Sequence, residues 1–160
     1  MLIWQRHRKS AELLSGGEPI GHADLTTFRE RALITLSGQS WTFARQSGGD
    51  IAAIPGHGDK PTESPAMVAS KHSRFRSRWS IQAESSSYDM KPGSRRTYYI
   101  LRGDEQLGTC TRTKIFGSRY QIELPESVPL HHQAFLLWIA VATKQRQRRA
   151  VAAGANSGGR

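Results

Sequence analysis

Residues 130–144 read LHHQAFLLWIAVATK, and this stretch decides the fold. Between residues 134 and 142 apolar side chains occupy every side of a helical wheel, the large ones being Phe135, Leu136, Leu137, Trp138, Ile139 and Val141. A helix that is apolar all round has to be buried all round. At about 1.5 Å of rise per residue the stretch is roughly 14 Å long. That is enough to thread the middle of a small β-barrel and well short of the roughly 18 residues a membrane span requires. Residues 144–149 then carry four basic side chains and no acid, which suits a helix C-terminus, where the dipole leaves partial negative charge.

The segments before this helix have the pattern of strands. Residues 96–102 place Thr, Tyr, Tyr, Ile and Leu between two arginines and run into the turn Gly103-Asp104-Glu105-Gln106. A second strand is expected over 107–116, a turn at Gly117-Ser118, and a return over 119–124 with Tyr120, Ile122 and Leu124 on one face. Together these predict a three-strand meander. Pro125 and Pro129 bracket an irregular link to the helix, since proline cannot donate to a ladder and disfavours helix in the residue before it.

Further upstream, Leu33 to Leu36 and Trp41 to Phe43 flank Ser37-Gly38-Gln39, a hairpin signal. A short strand is expected over 51–54. The proline- and glycine-containing stretch 55–65 has the chemistry of a surface loop. Residues 74–81, RFRSRWSI, alternate Phe75, Ser77, Trp79 and Ile81 with Arg74, Arg76, Arg78 and Ser80, which predicts a strand with one largely apolar face and one arginine face. Residues 85–94 read as a polar connection. The first 31 residues assign no firm element: a helical turn is suggested at 10–14, a break at Gly16-Gly17, and weak strand character over 19–28. The expected organisation is thus an uncertain segment at 1–31 that can supply first strands, a barrel with a central helix over 32–152, and a disordered tail at 153–160.

The quoted residues resemble the tubby C-terminal-like superfamily, in particular its LURP-one-related and phospholipid scramblase-like domains. The resemblance rests on Gly117, YQIEL at 120–124, PESV at 125–128 and the apolar helix at 134–142, preceded by strands at 98–101 and 107–116 with Gly108 and Lys114. It covers residues 32–150, most clearly from 96 onward. It implies a mainly β fold, a closed antiparallel β-barrel of about a dozen strands enclosing one apolar C-terminal helix. Only about eight or nine strands can be counted after Ala32, so either residues 19–28 contribute as well or the barrel is trimmed. The resemblance also implies phosphoinositide headgroup binding through lysine and arginine on the barrel surface. Calcium-driven scrambling, found in one branch, is not supported by this chain: it has no spanning segment, no acidic calcium loop and no cysteine-rich lipidation tract.

Composition sets the electrostatics. The 160 residues suffice for one domain with a real core. The net charge is +10, and 17 of the 23 basic residues are arginine, whose planar fork grips phosphate or carboxylate in two places. Such a field draws nucleic acid, anionic lipid or an acidic protein partner. A single cysteine, Cys110, excludes an internal disulfide framework and a multi-thiolate zinc site. With no secretory-type opening, the expectation is a cytoplasmic protein, at most peripheral to a membrane.

Enzymatic chemistry finds no foothold in the sequence. No Gly-x-Ser-x-Gly motif, phosphate-cradling glycine loop or dinucleotide fingerprint is present, and no cofactor is implied. Cys110 lies in a strand and reads as a buried, inert thiol. His131 and His132 are adjacent, about 100° apart on a helix, and do not form an i, i+4 metal pair, so they read as helix-start residues and no metal site is expected. The basic features remain. Arg74, Arg76 and Arg78 on one strand and Arg112 and Lys114 on another, set side by side, would form a phosphate-sized patch. The expected function is anionic phosphate binding, on a lipid headgroup or a partner; nucleic-acid binding and a structural interaction module are the alternatives. Phe75 and Trp79, alternating with the arginines, should face the core rather than stack on bases.

Overall fold

The computed structural model describes residues 1–26, 30–56, 64–72, 77–113 and 119–157. Twelve strands lie within them: β1 (Leu2–His7), β2 (Ser10–Ser15), β3 (Glu18–Thr26), β4 (Arg31–Leu36), β5 (Gln39–Arg45), β6 (Ile51–Pro55), β7 (Met67–Lys71), β8 (Trp79–Ala83), β9 (Ser86–Pro92), β10 (Thr97–Arg102), β11 (Glu105–Arg112) and β12 (Arg119–Glu123). Each pairs antiparallel with its sequence neighbour, and β1 closes the ring on β12 with Leu2 opposite Ile122 and Trp4 opposite Tyr120. The sheet is therefore a closed barrel with no free edge. The helix α1 (Leu130–Ser157) runs through it.

Alternation along the strands builds the lining. Leu2 and Trp4, Ala11 and Leu13, Ala32 and Ile34, Trp79 and Ile81, Tyr88 and Met90, and Tyr120 and Ile122 all turn inward and are buried. Every helix residue from His132 to Thr143 is buried as well, so the pattern that is apolar on all sides has a partner on all sides. Trp138 meets Trp4 of β1 with ring centroids 5.6 Å apart, and Phe135 meets Phe43 of β5 edge-on at 5.2 Å. Some of the buried polar groups are satisfied locally. Trp79 Nε1 donates to Thr143 Oγ1 at 2.9 Å, Thr143 donates to the Ile139 carbonyl at 2.7 Å, and Gln133 Nε2 donates to the Val128 carbonyl at 2.9 Å.

Glycine is needed once for a turn and once for a close approach. In the β4–β5 hairpin Ser37 and Gly38 both have positive φ, 49° and 76°, as the tightest hairpin turn demands. At Gly108 a Cβ would overlap the Glu123 carbonyl of β12, so the absent side chain lets the two strands pair.

Several expectations change. Residues 10–14 are not a helical turn but part of β2, held between β1 and β3 with Ala11 and Leu13 inward, and residues 1–26 supply three strands without which the barrel could not close. The expected connection at 85–94 contains β9, where Tyr88 and Met90 supply the inward alternation. Of the described part of the strand expected over 74–81, the ladder holds the residues from Trp79, with Ser77 and Arg78 before it; Arg74, Phe75 and Arg76 lie outside the described residues. The strand expected over 107–116 spans Glu105–Arg112. The helix continues to Ser157 through residues expected to be a disordered tail, because Ala152, Ala153 and Ala155 carry high helix propensity across Gly154. Among the described residues no helix is long and apolar enough to cross a membrane.

Candidate functional site

Because the strands are antiparallel and the helix runs straight through, every connection falls at one of two mouths. At the lower mouth, where the helix starts, the described connections carry Glu84, Asp104 and Glu126 and no lysine or arginine. At the upper mouth, where it leaves, they carry Arg8, Lys9, Arg78, Arg95 and Arg96 against Glu30 and Asp50, and the departing helix adds Lys144, Arg146, Arg148 and Arg149. Among the described residues, the charge of the connections is thus sorted along the barrel axis, with the positive charge gathered at one end.

The upper mouth holds a cavity of about 410 Å³ between the helix and the ends of β9 to β12, within the roughly 300–1,000 Å³ range of small-molecule sites. Its walls bring together Arg95 and Arg96 from the β9–β10 turn, Arg112 from the end of β11 and Lys144 from the helix. The hydroxyl-bearing residues Tyr98 and Tyr120 complete them, and no carboxylate lines the cavity among the described residues. Strand parity explains the convergence. Arg112 stands two residues after buried Cys110 and shares its inward side, as Tyr98 shares the side of Ile100 and Tyr120 that of Ile122. Burial pushes the Tyr98 hydroxyl up to about 12; nearby Tyr120 and Cys110 add to the shift, and hydrogen bonds from Ser77 and Thr143 oppose it. Burial also raises Tyr120, against the opposing pull of the Arg112, Arg148 and Arg6 cations. Both phenols therefore stay protonated and able to donate.

Two other cations of this mouth, Arg146 and Arg78, are engaged. Arg146 Nε reaches both oxygens of Glu30 at 3.0 and 2.8 Å, its Nη1 donates to the Gly49 carbonyl at 3.0 Å, and its guanidinium lies over Trp79 at 5.4 Å. Glu30 is only 4% exposed, so this pair fastens the departing helix to two loops. Arg78 lies 3.7 Å from Asp89.

Of the five residues expected to form the anion patch, then, Arg78 and Arg112 are described and are not neighbours, because β9 and β10 separate β8 from β11. Arg112 faces the barrel mouth, not the outer surface that a shared patch with Lys114 would need; Lys114, like Arg74 and Arg76, lies outside the described residues. Arg95, Arg96 and Lys144 were not singled out by the sequence. Trp79 is fully buried, as expected, and cannot stack on bases. Cys110 is buried too, and burial alone pushes its thiol up to about 12, which keeps it a protonated, unreactive group.

The lower mouth is sealed by aromatic and imidazole rings. Trp41 stacks on His131 with centroids 5.1 Å apart, and Tyr88 OH lies 3.0 Å from His132 Nδ1 and accepts from Arg102 Nη2 at 3.3 Å. The adjacent histidines do not diverge: their ring centroids are 4.5 Å apart, and both face Glu84. Comparison of the chain with protein-family models, with curated proteins and with solved structures finds no match.

Proposed function

We propose that this protein is a non-enzymatic binding barrel whose upper mouth takes the phosphate group of an anionic lipid headgroup. The observation that carries the reading is the convergence of Arg95, Arg96, Arg112 and Lys144 on one cavity that no carboxylate lines among the described residues. Arginine forks bind phosphate oxygens in pairs through short, charge-assisted hydrogen bonds. Two protonated phenols add donors on the inner wall. The departing helix supports a membrane source for the phosphate, since Arg148 and Arg149 leave from the same mouth and are exposed, and each basic residue near an anionic surface contributes about 1 kcal/mol. The resemblance to tubby-like barrels points the same way. Nucleic acid is less favoured, because the only large aromatic side chain exposed among the described residues is Tyr99.

Co-sedimentation tests the reading. Vesicles of phosphatidylcholine alone should leave the protein in the supernatant, and vesicles containing a phosphoinositide should pellet it, less so as salt rises. A soluble inositol phosphate should compete. The triple variant Arg95→Ala, Arg96→Ala, Arg112→Ala, verified as folded by circular dichroism, should lose most of the binding, and Arg102→Ala at the other mouth should keep it. Failure to bind phosphoinositide vesicles, preference for oligonucleotides, or unchanged binding in the triple variant would overturn the proposal.

A further inference from the structure

The lower mouth carries a second arrangement, independent of the cationic cavity. Glu84 in the β8–β9 hairpin and His131 and His132 in the first turn of α1 place one ligand atom each within 4.8 Å of one another. His131 Nε2 stands 3.1 Å from Glu84 Oε1, and His132 Nε2 stands 3.5 Å from Glu84 Oε2. Donor atoms arranged tetrahedrally around zinc at about 2.0–2.1 Å are separated by about 3.3–3.4 Å, so these spacings need little adjustment to hold an ion between them.

His132 supplies the decisive observation. Its side chain is 2% exposed, yet its Nε2 atom is buried with no hydrogen-bond partner among the described residues. A buried polar atom left unsatisfied is costly to the fold. The other ring nitrogen is already engaged: Nδ1 lies 3.0 Å from Tyr88 OH, and Arg102 in turn donates to that hydroxyl. When Nδ1 donates its proton to Tyr88, Nε2 presents its lone pair toward Glu84 and His131. Metal-ligating histidines are commonly oriented by such an outer hydrogen bond, which sets the tautomer and the ring angle.

We propose that Glu84, His131 and His132 form a binding site for a divalent transition metal of the zinc class. Two imidazoles and one carboxylate are a borderline donor set, suited to zinc, cobalt, nickel or copper rather than to magnesium or calcium. The bound ion replaces the hydrogen bond between His131 and Glu84. Glu84 is about half exposed and His131 a quarter, so one side of the ion faces solvent and a fourth position stays open to water or to a partner's ligand. Because the ligands come from a hairpin and from the helix start, 47 residues apart in sequence, the ion staples the helix into the barrel at the mouth where it begins.

The test uses the untagged full chain with zinc and cobalt as probes. One equivalent of Zn²⁺ should raise the melting temperature and Mg²⁺ should not. Paramagnetic Co²⁺ should broaden the ring protons of His131 and His132 before those of His7, His22 and His72. Glu84→Gln and His131→Asn should each weaken Zn²⁺ binding more than tenfold, Tyr88→Phe should weaken it by about 10–100-fold through the lost orienting bond, and His22→Asn should leave it unchanged. Absence of stoichiometric Zn²⁺ binding, binding of parental strength in both Glu84→Gln and His131→Asn, or Co²⁺ broadening that falls first on the outer histidines would overturn the proposal. The broadening experiment is made on the unaltered chain and so decides the matter even where a variant fails to fold.

Discussion

The two mouths of this barrel are closed by the same helix in opposite ways. At the lower mouth the helix begins under stacked rings, with Trp41 on His131 and Tyr88 against His132, and the surrounding turns are acidic. At the upper mouth it leaves beside a cavity of about 410 Å³, held on one side by the Glu30–Arg146 pair and flanked on the other by four cations that line that cavity. One end is sealed by packing and the other is left accessible. The difference arises because an all-apolar helix commits only its middle to the core, which leaves each end to be finished by whatever the strand connections bring there.

The largest perturbation removes what the two mouths share. Trp138→Asp forces an unpaired charge into the wall against Trp4, at a cost of several kcal/mol, comparable to the whole stability of a domain at about 5–15 kcal/mol. The expected outcome is loss of cooperative melting; a variant that melts like the parent would break the barrel-around-helix architecture. Next is a change confined to the upper mouth. Glu30→Gln leaves Arg146 without its buried counter-charge and should cost about 3 kcal/mol, the low end for breaking a buried pair. Amide exchange should accelerate over residues 144–157 and hold steady around residues 130–136. Uniform acceleration would show that the mouths are not separately fastened.

A smaller effect is alkaline. In the folded barrel Tyr98 and Cys110 keep their protons to about 12, above their ordinary values of 10.0 and 9.0. The unfolded chain therefore releases protons first, and their contribution to stability is fully present below pH 9 and is lost as pH rises toward 12. Denaturant titrations at stepped pH should show this decline, and Tyr98→Phe should make it shallower above pH 10. An unchanged slope in that variant would remove Tyr98 from the inner wall.

How much of this was legible in the sequence differs between fold and site. Residues 134–142 announced their own burial, because nothing else accommodates nine consecutive apolar helical residues, and the meander before them was equally plain in Tyr98, Ile100, Tyr120 and Ile122. Strands β2 and β9 were harder. Ser10 to Ser15 and Ser86 to Pro92 are short and polar, and their inward residues count only once neighbouring strands supply the other half of the ladder. For the site, parity was the missed signal: if Cys110 faces the core, Arg112 faces the same way and belongs to the mouth rather than to an outer stripe. Arg95, Arg96 and Lys144 carried no local mark of a shared site, since what joins them is the passage of the helix beside the β9–β10 turn and the end of β11. Glu84 likewise meets the two histidines only after the β8–β9 hairpin has been brought to the helix start.

The central claim is that the upper mouth, and not the lower, receives phosphate. The most direct measurement titrates a soluble inositol phosphate into ¹⁵N-labelled protein and maps the amide shifts. The account predicts saturable shifts at Arg95, Arg96, Tyr98, Arg112 and Tyr120, with the amides of Glu84, Asp104 and His131 unmoved. Shifts centred on the lower mouth, or none at either, would contradict it.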